Sequence, residues 1–351
     1  MPVISVLRPG PVLCLFIMIA ALSGCAAPTP LDDAIRNRDN ATAAALIGSG
    51  TGLDERDANL ATPLHWAAET NDLPIAKLLI DKRVNIQSSA RNAVTPLYLA
   101  ALHSNIEIAH LLIGAGAIVD SPDDADWTPL MAASRIQNPA ETVNQPRMVE
   151  FLLAQGASPR AKSVDGWTPL HVAAELPDPR VAQMLLAKGA DVSAVGPNGL
   201  VPLDNASISD RRATAFALLD AGAHPEITAF RPEIGARAYR FAAEYAESKG
   251  NTQQAIAYWR AASAQFAEAI GNYETSSKAE NERGNEVVGE NFERALLAGF
   301  LAGLGHTTIF YQIESPEYHY AKARVAQIGA AACRILAADA DEHIRRLGQP
   351  H

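Results

Sequence analysis

A four-residue phrase returns along this chain at a nearly fixed interval. It opens with Thr-Pro-Leu four times and with Val-Pro-Leu once, starting at Thr62, Thr95, Thr128, Thr168 and Val201. The intervals between these first residues are 33, 33, 40 and 33. A fixed period of about 20 to 50 residues indicates a stacked-repeat architecture. One such unit cannot bury its own apolar face, so we expect the units to stack, and we expect a chain that holds a partner rather than one that transforms a substrate.

The rest of each unit keeps the same spacing. A small residue lies five positions after each first residue, at Ala67, Ala100, Ala133, Ala173 and Ala206. The middle leucine of an apolar triplet follows after 17 residues in every unit except the third, where the interval is 24. The extra segment therefore falls between Ala133 and Leu152, and Asn138-Pro139 and Asn144-Gln145-Pro146 predict a loop there. Gly-Ala pairs predict left-handed helix ends at Gly116, Gly156, Gly189 and Gly222.

Residues 57–224 closely resemble the ankyrin repeat, in which each unit is a hairpin turn followed by two antiparallel helices. The resemblance implies an all-α solenoid of about six repeats over residues 31–230. Residues 31–56 keep the 33-residue spacing and are predicted to form a degenerate first unit that lacks the Thr-Pro opener. The sixth unit also departs from the pattern, at Val201 and Asp204. Pro177 occupies the turn between two helices, and that turn must be rebuilt because proline cannot adopt a positive φ.

The N-terminus predicts a secretion signal over residues 1–24. Arg8 precedes an apolar run that is too short to span a bilayer, and the run ends in Leu22-Ser23-Gly24-Cys25. This ending resembles the bacterial lipobox, which implies cleavage before Cys25 and acylation of that cysteine, with residues 25–30 as a short tether. Ala26 at the second mature position implies, by the same resemblance, outer-membrane sorting on the periplasmic side. The alternative is an ordinary cleaved signal with an incidental cysteine.

Residues 231–351 are predicted to form a C-terminal helical domain. Helices are expected from Pro232 to about Lys249 and from Thr252 to about Ile270, and residues 237–270 weakly resemble one tetratricopeptide hairpin, which would pack on the last repeat. Residues 271–291 are predicted to be a loop or a weak helix. Residues 295–313 contain no Asp, Glu, Lys or Arg, and either a buried or partner-facing helix or membrane contact remains open. A last helix is predicted from Pro316 to about Leu347.

That last helix is expected to bury one face. The expected face consists of Ala321, Val325, Ile328, Ala332 and Leu336. Cys333 is the single cysteine left after the signal and Cys25 are accounted for, and its helical setting predicts a small buried apolar residue. No disulfide within the mature chain is therefore expected.

The ankyrin resemblance implies that partner-binding residues lie on the concave side and at the hairpin tips, and that the partner is a protein. The residues selected in this way are Trp66, Glu69, Thr70, Leu99, Leu102, His103, Trp127, Arg135, Trp167, Val172 and Glu175. Four acidic residues concentrate at one hairpin, namely Asp120, Asp123, Asp124 and Asp126. They either meet a basic partner or form a solvated acidic loop.

Catalytic chemistry is not expected. His65 and His171 are the fourth residues of repeat openers, where the resemblance implies hydrogen bonds to neighbouring backbone. His343, near Asp339 and Asp341, is predicted to be a solvated helix end rather than a metal site. No nucleophile elbow, phosphate loop or cofactor motif is present. The net charge of −10 gives no electrostatic reason to bind nucleic acid.

Two functions remain open from the sequence. One is a lipid-anchored scaffold that captures or neutralises a protein, for example an immunity-type lipoprotein that guards the envelope against a secreted effector. The other is a structural or assembly component of an envelope complex. Neither reading implies an enzyme or a cofactor.

Overall fold

A computed structural model describes residues 29–135, 144–225, 232–283 and 316–348. In these ranges the regular structure is helical and no strand is present, which confirms the all-α prediction. The chain divides into two compact units. One unit comprises the residues up to Ala173 together with Arg180–Asp191, and the other comprises Ala174–Pro179 together with the residues from Val192 onward. Among the described helices, none combines the length and the apolar composition that a membrane span requires.

The first unit consists of five helix pairs, each joined to the next by a hairpin loop. Their bounds are α1 Pro30–Arg36, α2 Asn40–Ser49, α3 Pro63–Thr70, α4 Leu73–Asp81, α5 Pro96–Leu102, α6 Ile106–Gly114, α7 Pro129–Ala133, α8 Gln145–Ala154, α9 Pro169–Ala173 and α10 Arg180–Ala187. The first helix of each pair packs on the first helix of the next pair. The leucine after each opener proline is at most 2% exposed, at Leu31, Leu64, Leu97, Leu130 and Leu170. The repeat spacing therefore places one continuous apolar core between the helix rows.

The repeat opener starts each first helix. At Thr95 the threonine has an extended backbone and its hydroxyl accepts a hydrogen bond from the Tyr98 amide, while the proline takes the first helical turn. The same arrangement is present in the first unit, where Thr29 caps α1 and Pro30 begins it. The prediction that the first unit lacks a Thr-Pro opener is therefore wrong. It failed because residues 25–30 were assigned to the tether.

The hairpin loops are held by hydrogen bonds that repeat from unit to unit. One Asp57 carboxylate oxygen accepts from the Asn59 and Ala61 amides, and Asp123 accepts from Ala125 and Trp127 in the same way. Neighbouring loops are also joined through backbone, since the Arg91 amide donates to the Asn59 carbonyl and the Val164 amide donates to the Ala125 carbonyl. These side-chain and backbone bonds fix the loop tips relative to one another.

Helix ends follow the sequence prediction in most units. The glycines of the four Gly-Ala pairs have φ of 101°, 90°, 85° and 91°, as expected for left-handed helix ends. The extra segment of the third repeat begins after α7, but Gln145 and Pro146 belong to the first turn of α8 rather than to a loop. Asn138 and Pro139 lie outside the described residues.

Before Pro177, α9 ends at Ala173, so this helix is shorter than α5.

The second unit contains the sixth repeat and the C-terminal helices. Its elements are α11 Pro202–Ile208, α12 Arg212–Asp220, α13 Pro232–Ser248, α14 Thr252–Arg283 and α15 Pro316–Leu347. Arg240 of α13 pairs with Asp210 at 2.7 Å, and Lys249 pairs with Asp220 at 3.0 Å. The predicted packing of the helical hairpin on the last repeat is confirmed by these contacts. The predicted boundary at residues 230 and 231 lies outside the described residues.

Helix α14 continues beyond its predicted end. It runs to Arg283, so residues 271–283 are helical rather than a loop or weak helix. The continuation packs on α15: the ring of Tyr273 lies against Gly329, and Arg334 pairs with Glu274. Tertiary contacts therefore extend a segment whose own helix preference is low. Residues 284–315, which include 295–313, lie outside the described residues.

Helix α15 has the predicted bounds but a shifted buried face. The deeply buried positions are Ala326, Ala330, Cys333 and Ala340, all at most 4% exposed. Ile328, Ala332 and Leu336 of the predicted face are partly buried, and Leu336 packs against the core. The side chains of Ala321 and Val325 lie outside the described part of the structure. The most deeply buried positions are small residues, which allow close approach of the helices. The buried Cys333 confirms the apolar interpretation of that cysteine, and burial raises the pKa of its thiol to about 11.

Candidate functional site

The first helices of the first unit repeat one position on the same side. Arg36, Glu69, Leu102 and Arg135 follow one another at intervals of 33 residues, at or just after the C-terminal ends of α1, α3, α5 and α7. We call these four residues and their neighbours Trp66, Leu99 and His103 the inner-helix face. Ten of the eleven predicted binding residues lie in the first unit, and Glu175 belongs to the second.

Trp66 forms the floor of the inner-helix face. Trp66 is only 8% exposed, and the guanidinium of Arg36 lies 4.6 Å from the centroid of its ring. The indole Nε1 is buried and makes no hydrogen bond. A cation over a tryptophan ring is an attractive arrangement. Arg36 is not among the binding residues predicted from the sequence, yet its guanidinium lies over the predicted Trp66.

Two basic side chains, Arg36 and His103, lie close enough to Glu69 to influence its carboxyl. Burial raises the pKa of its carboxyl, while the charges of His103 and Arg36 act in the opposite direction. Thr70 donates its hydroxyl to the Trp66 carbonyl, and the Thr70 carbonyl accepts from the exposed Arg38. The face therefore carries partly exposed charges of both signs beside an apolar floor, a composition that suits a protein surface better than a small ligand.

Three more of the predicted binding residues are buried. Leu99, Leu102 and Val172 are 6%, 4% and 5% exposed, so they contribute mainly to the core. Glu69, Thr70, His103 and Arg135 are partly exposed, as is Glu175 in the second unit. Replacement of the buried Trp66 with alanine would therefore disturb folding as well as binding. Whether these residues bind a partner stays a prediction.

The two hairpin tryptophans lie side by side. The ring centroids of Trp127 and Trp167 are 6.5 Å apart at an interplanar angle of 42°, and both rings are partly exposed. Trp167 also makes an edge contact with His171, with centroids 5.9 Å apart. The sequence placed both tryptophans at hairpins but gave no sign that they touch. Their sequence separation of 40 residues includes the extra segment of the third repeat.

The opener histidines are structural. The Thr62 amide donates to Nδ1 of His65, so Nε2 carries the proton and donates to the Val94 carbonyl at 3.0 Å. Burial lowers the pKa of His65 to about 4, which keeps the ring neutral. His171 is fully buried, and its Nδ1 accepts from the Thr168 amide. These contacts confirm the backbone-bonding role predicted for both histidines.

The second unit has a polar cleft of about 530 Å³, lined by Arg212, Glu244, Glu247, Ser248, His343 and Arg346. Glu247 makes most of the hydrogen bonds in this cleft. One carboxylate oxygen accepts from Trp259 Nε1 at 2.6 Å and lies 3.0 Å from His343 Nδ1, while the other accepts from Arg346 at 2.7 Å. The His343 ring stacks on Trp259 with centroids 4.3 Å apart. The prediction of a solvated helix end at His343 is therefore wrong, because the ring is packed and bonded. No cluster that could hold a metal ion occurs among the described residues.

Comparison with known proteins identifies the repeats. The family described as "Ankyrin repeats (3 copies)" matches residues 31–123, 64–144, 116–196 and 140–229, which together cover more than half of the chain. The chain belongs to the ankyrin-repeat family. A solved structure, described as the crystal structure of the human ASB11 ankyrin repeat domain, is similar with 22% sequence identity and a TM-score of 0.50, over 57% of this chain and 86% of that chain. At this identity the structural likeness establishes the fold.

Ankyrin repeats form protein-binding scaffolds, so the family match supports a protein partner for this array. It also explains how Arg36 could have been found from the sequence. Arg36 lies 33 residues before Glu69, in the register position that selected Glu69, Leu102 and Arg135. The 33-residue spacing of residues 31–56 already contains this signal, although the predicted binding residues begin only at Trp66.

Proposed function

We propose that this ankyrin array is a lipid-anchored scaffold that captures a protein partner through the inner-helix face of its first unit. The observation that carries the proposal is the arrangement of Arg36 over Trp66 beside Glu69 and His103. Arginine and tryptophan are among the residues that most often dominate binding energy at protein interfaces. The charges of the face are partly exposed and the floor is apolar, as at the centre and rim of such interfaces.

The anchor is Cys25. The sequence before it has the order of a bacterial lipoprotein signal, and the mature protein would be held at the periplasmic side of the outer membrane. Since α1 begins at Pro30, the tether from Cys25 to the first helical residue reaches at most roughly 17 Å at about 3.4 Å per residue. The first repeat is therefore expected close to the bilayer surface, where it would meet partners that act at the membrane.

The biological role that fits best is capture or neutralisation of a protein, as in an immunity-type lipoprotein. A short tether and a face that carries partly exposed charges suit a protein that intercepts its partner at the membrane. The alternative role is a structural or assembly component of an envelope complex. Genetics separates the two, because loss of a guard has an effect only when its toxin is present, whereas loss of an assembly factor alters the envelope by itself.

The partner-binding face can be tested by site-specific photo-crosslinking in cells. A photoreactive amino acid at His103 is expected to give a discrete adduct with another protein, whereas the same amino acid at exposed Lys77, on helix α4, is the matched control and is expected to give none. Glu69→Lys, which reverses a charge close to Arg36 and His103, is expected to remove the His103 adduct. Equal adducts at both positions, or a His103 adduct that survives Glu69→Lys, would contradict the proposal.

A further inference from the structure

The hairpin tryptophans form a fixed aromatic pair. The amides of Trp127 and Trp167 donate to the side chains of Asp123 and Ser163 at 2.9 and 3.0 Å, and their carbonyls accept from the amides of those same residues. The Val164 amide donates to the Ala125 carbonyl at 3.0 Å, which joins one loop to the other. The backbone that carries each ring is thus held in place before any ligand arrives, so little ordering remains to be done on binding.

Exposed acidic residues flank both tryptophans in the sequence, and the loop of Trp167 also carries the exposed Lys162. Asp124 and Asp126 precede Trp127 by three residues and one, and Asp165 precedes Trp167 by two; all three are exposed. Asp120 and Asp123 do not belong to this set, because Asp120 accepts from the Ser158 amide and Asp123 accepts from loop amides and from the Tyr98 hydroxyl. The four-residue acidic cluster of the sequence is therefore half structural, and its exposed half borders the tryptophans.

We propose that the Trp127–Trp167 pair is the docking site for a basic segment of the protein partner, with an arginine guanidinium on the indole rings. Tryptophan is the aromatic ring that attracts cations most strongly, and exposed carboxylates beside it add attraction for the same charge. A guanidinium is planar and stacks on aromatic faces, which favours arginine over lysine. This inference rests on the proposed function, since it gives the chemistry of the partner that the ankyrin array captures.

The experiment uses the signal-less chain from Ala26 onward and follows its tryptophan indole resonances by NMR. It is titrated with the acetylated, amidated tetrapeptide Gly-Arg-Arg-Gly, and with the matched Lys-Lys and Glu-Glu peptides. Saturable shifts are expected at Trp127 and Trp167 with the arginine peptide, weaker shifts with the lysine peptide, and none with the glutamate peptide. Trp66 and Trp259 lie elsewhere and should not shift. Trp127→Leu should raise the dissociation constant at least about fivefold.

Asp124→Asn with Asp126→Asn is the second variant, since it removes charge without touching the rings. It should weaken binding of the arginine peptide severalfold. The indole NMR resonances of Trp127 and Trp167 in the free protein should stay unchanged. The proposal is overturned if neither cationic peptide shifts the pair, if the glutamate peptide shifts it equally, or if Trp127→Leu binds with unchanged affinity. The titration needs no partner, so its failure leaves the His103 crosslinking test of the proposed function standing.

Discussion

In four of the six repeats, the side chain of the fourth opener residue accepts a hydrogen bond from the backbone amide of the first. His65 and His171 accept from Thr62 and Thr168, and in the terminal repeats Asp32 and Asp204 accept from Thr29 and Val201. A neutral imidazole and a carboxylate both supply an acceptor at this place, which accounts for the replacement of histidine by aspartate. The accepting imidazole is neutral, however, whereas the accepting carboxylate is charged. A change in pH therefore alters folding stability in opposite directions at the two kinds of residue.

Asp32 is expected to destabilise the array at neutral pH. Burial, the largest effect, raises its pKa to about 6 against hydrogen bonds from Thr29, and one carboxylate oxygen is buried without a hydrogen bond. Because the folded-state pKa lies above the unfolded value of 3.8, the folded state loses stability as pH rises from about 4 to 6. Asp32→Asn should therefore stabilise by roughly 3 kcal/mol at about pH 7 and above, and by nearly nothing below about pH 4.

Urea unfolding of Asp32→Asn and of the parent chain across this pH range measures the difference. Asp33→Asn is the control, because Asp33 is exposed in the same helical turn. A benefit of Asp32→Asn that does not change with pH would show that lost packing or capping, and not ionisation, sets the effect. The pH dependence expected for His65 is the reverse. Its folded-state pKa of about 4 lies below the unfolded value of 6.5, so its contribution to folding stability is present above about pH 6.5 and is lost as pH falls towards 4.

Two glycines of α2 give a second prediction at this scale. Gly48 lies inside the helix and Gly50 caps it with φ of 77°, and a Cβ at either position would meet no atom within 4 Å. Gly48→Ala should therefore stabilise by about 0.5 to 1 kcal/mol through helix preference, whereas Gly50→Ala should destabilise by about 1 kcal/mol because alanine resists the left-handed conformation. Thermal unfolding of the two variants tests this, and a shift of the same sign in both would contradict it.

At the scale of elements, the sequence predicted the repeat helices closely because the same pattern occurs in every repeat. The opener prolines begin α3, α5, α7 and α9, and Gly-Ala pairs follow α6, α8 and α10, so local capping sets these bounds. The C-terminal helices lack this redundancy. The extension of α14 to Arg283 and the burial of Ala326 and Ala330 depend on contacts between helices distant in sequence, which no local pattern reports. Glu247 is the clearest case, since its partners on α15 lie almost 100 residues away.

Glu247 is expected to hold the end of α15 against α13 and α14. Its carboxylate binds Trp259, His343 and Arg346 while only 20% exposed, and bonds to charged groups contribute about 1.5 to 3 kcal/mol. Glu247→Ala should therefore accelerate amide hydrogen exchange of residues 340–347 by at least tenfold and leave α1 to α6 unchanged. Asp339→Ala is the control, since Asp339 is exposed and 3.9 Å from His343. Equal protection in both variants would contradict this role.

At the scale of the whole molecule, the array could be predicted and the binding face only in outline. The period gave the number of repeats and the direction of each helix, and from these the residues that share one side. It could not show that Trp66 is covered by Arg36 or that Trp127 touches Trp167, because both depend on how neighbouring repeats stack. Residues 1–28 and 284–315 lie outside the described structure, so the lipid anchor and the apolar segment 295–313 stay predictions.

These two predictions can be separated by one fractionation experiment. If acylation of Cys25 is the membrane attachment, Cys25→Ser should move the protein from the outer-membrane fraction to the soluble periplasmic fraction, or leave it unprocessed. If residues 295–313 insert into the membrane, Cys25→Ser should stay membrane-bound until that segment is also removed. We expect the single substitution to release the protein, because Gly305, His306 and two threonines interrupt the apolar run and a buried helix contact tolerates them better than lipid does. A Cys25→Ser protein that still sediments with outer membranes, and is released by deletion of residues 295–313, would assign the attachment to that segment instead.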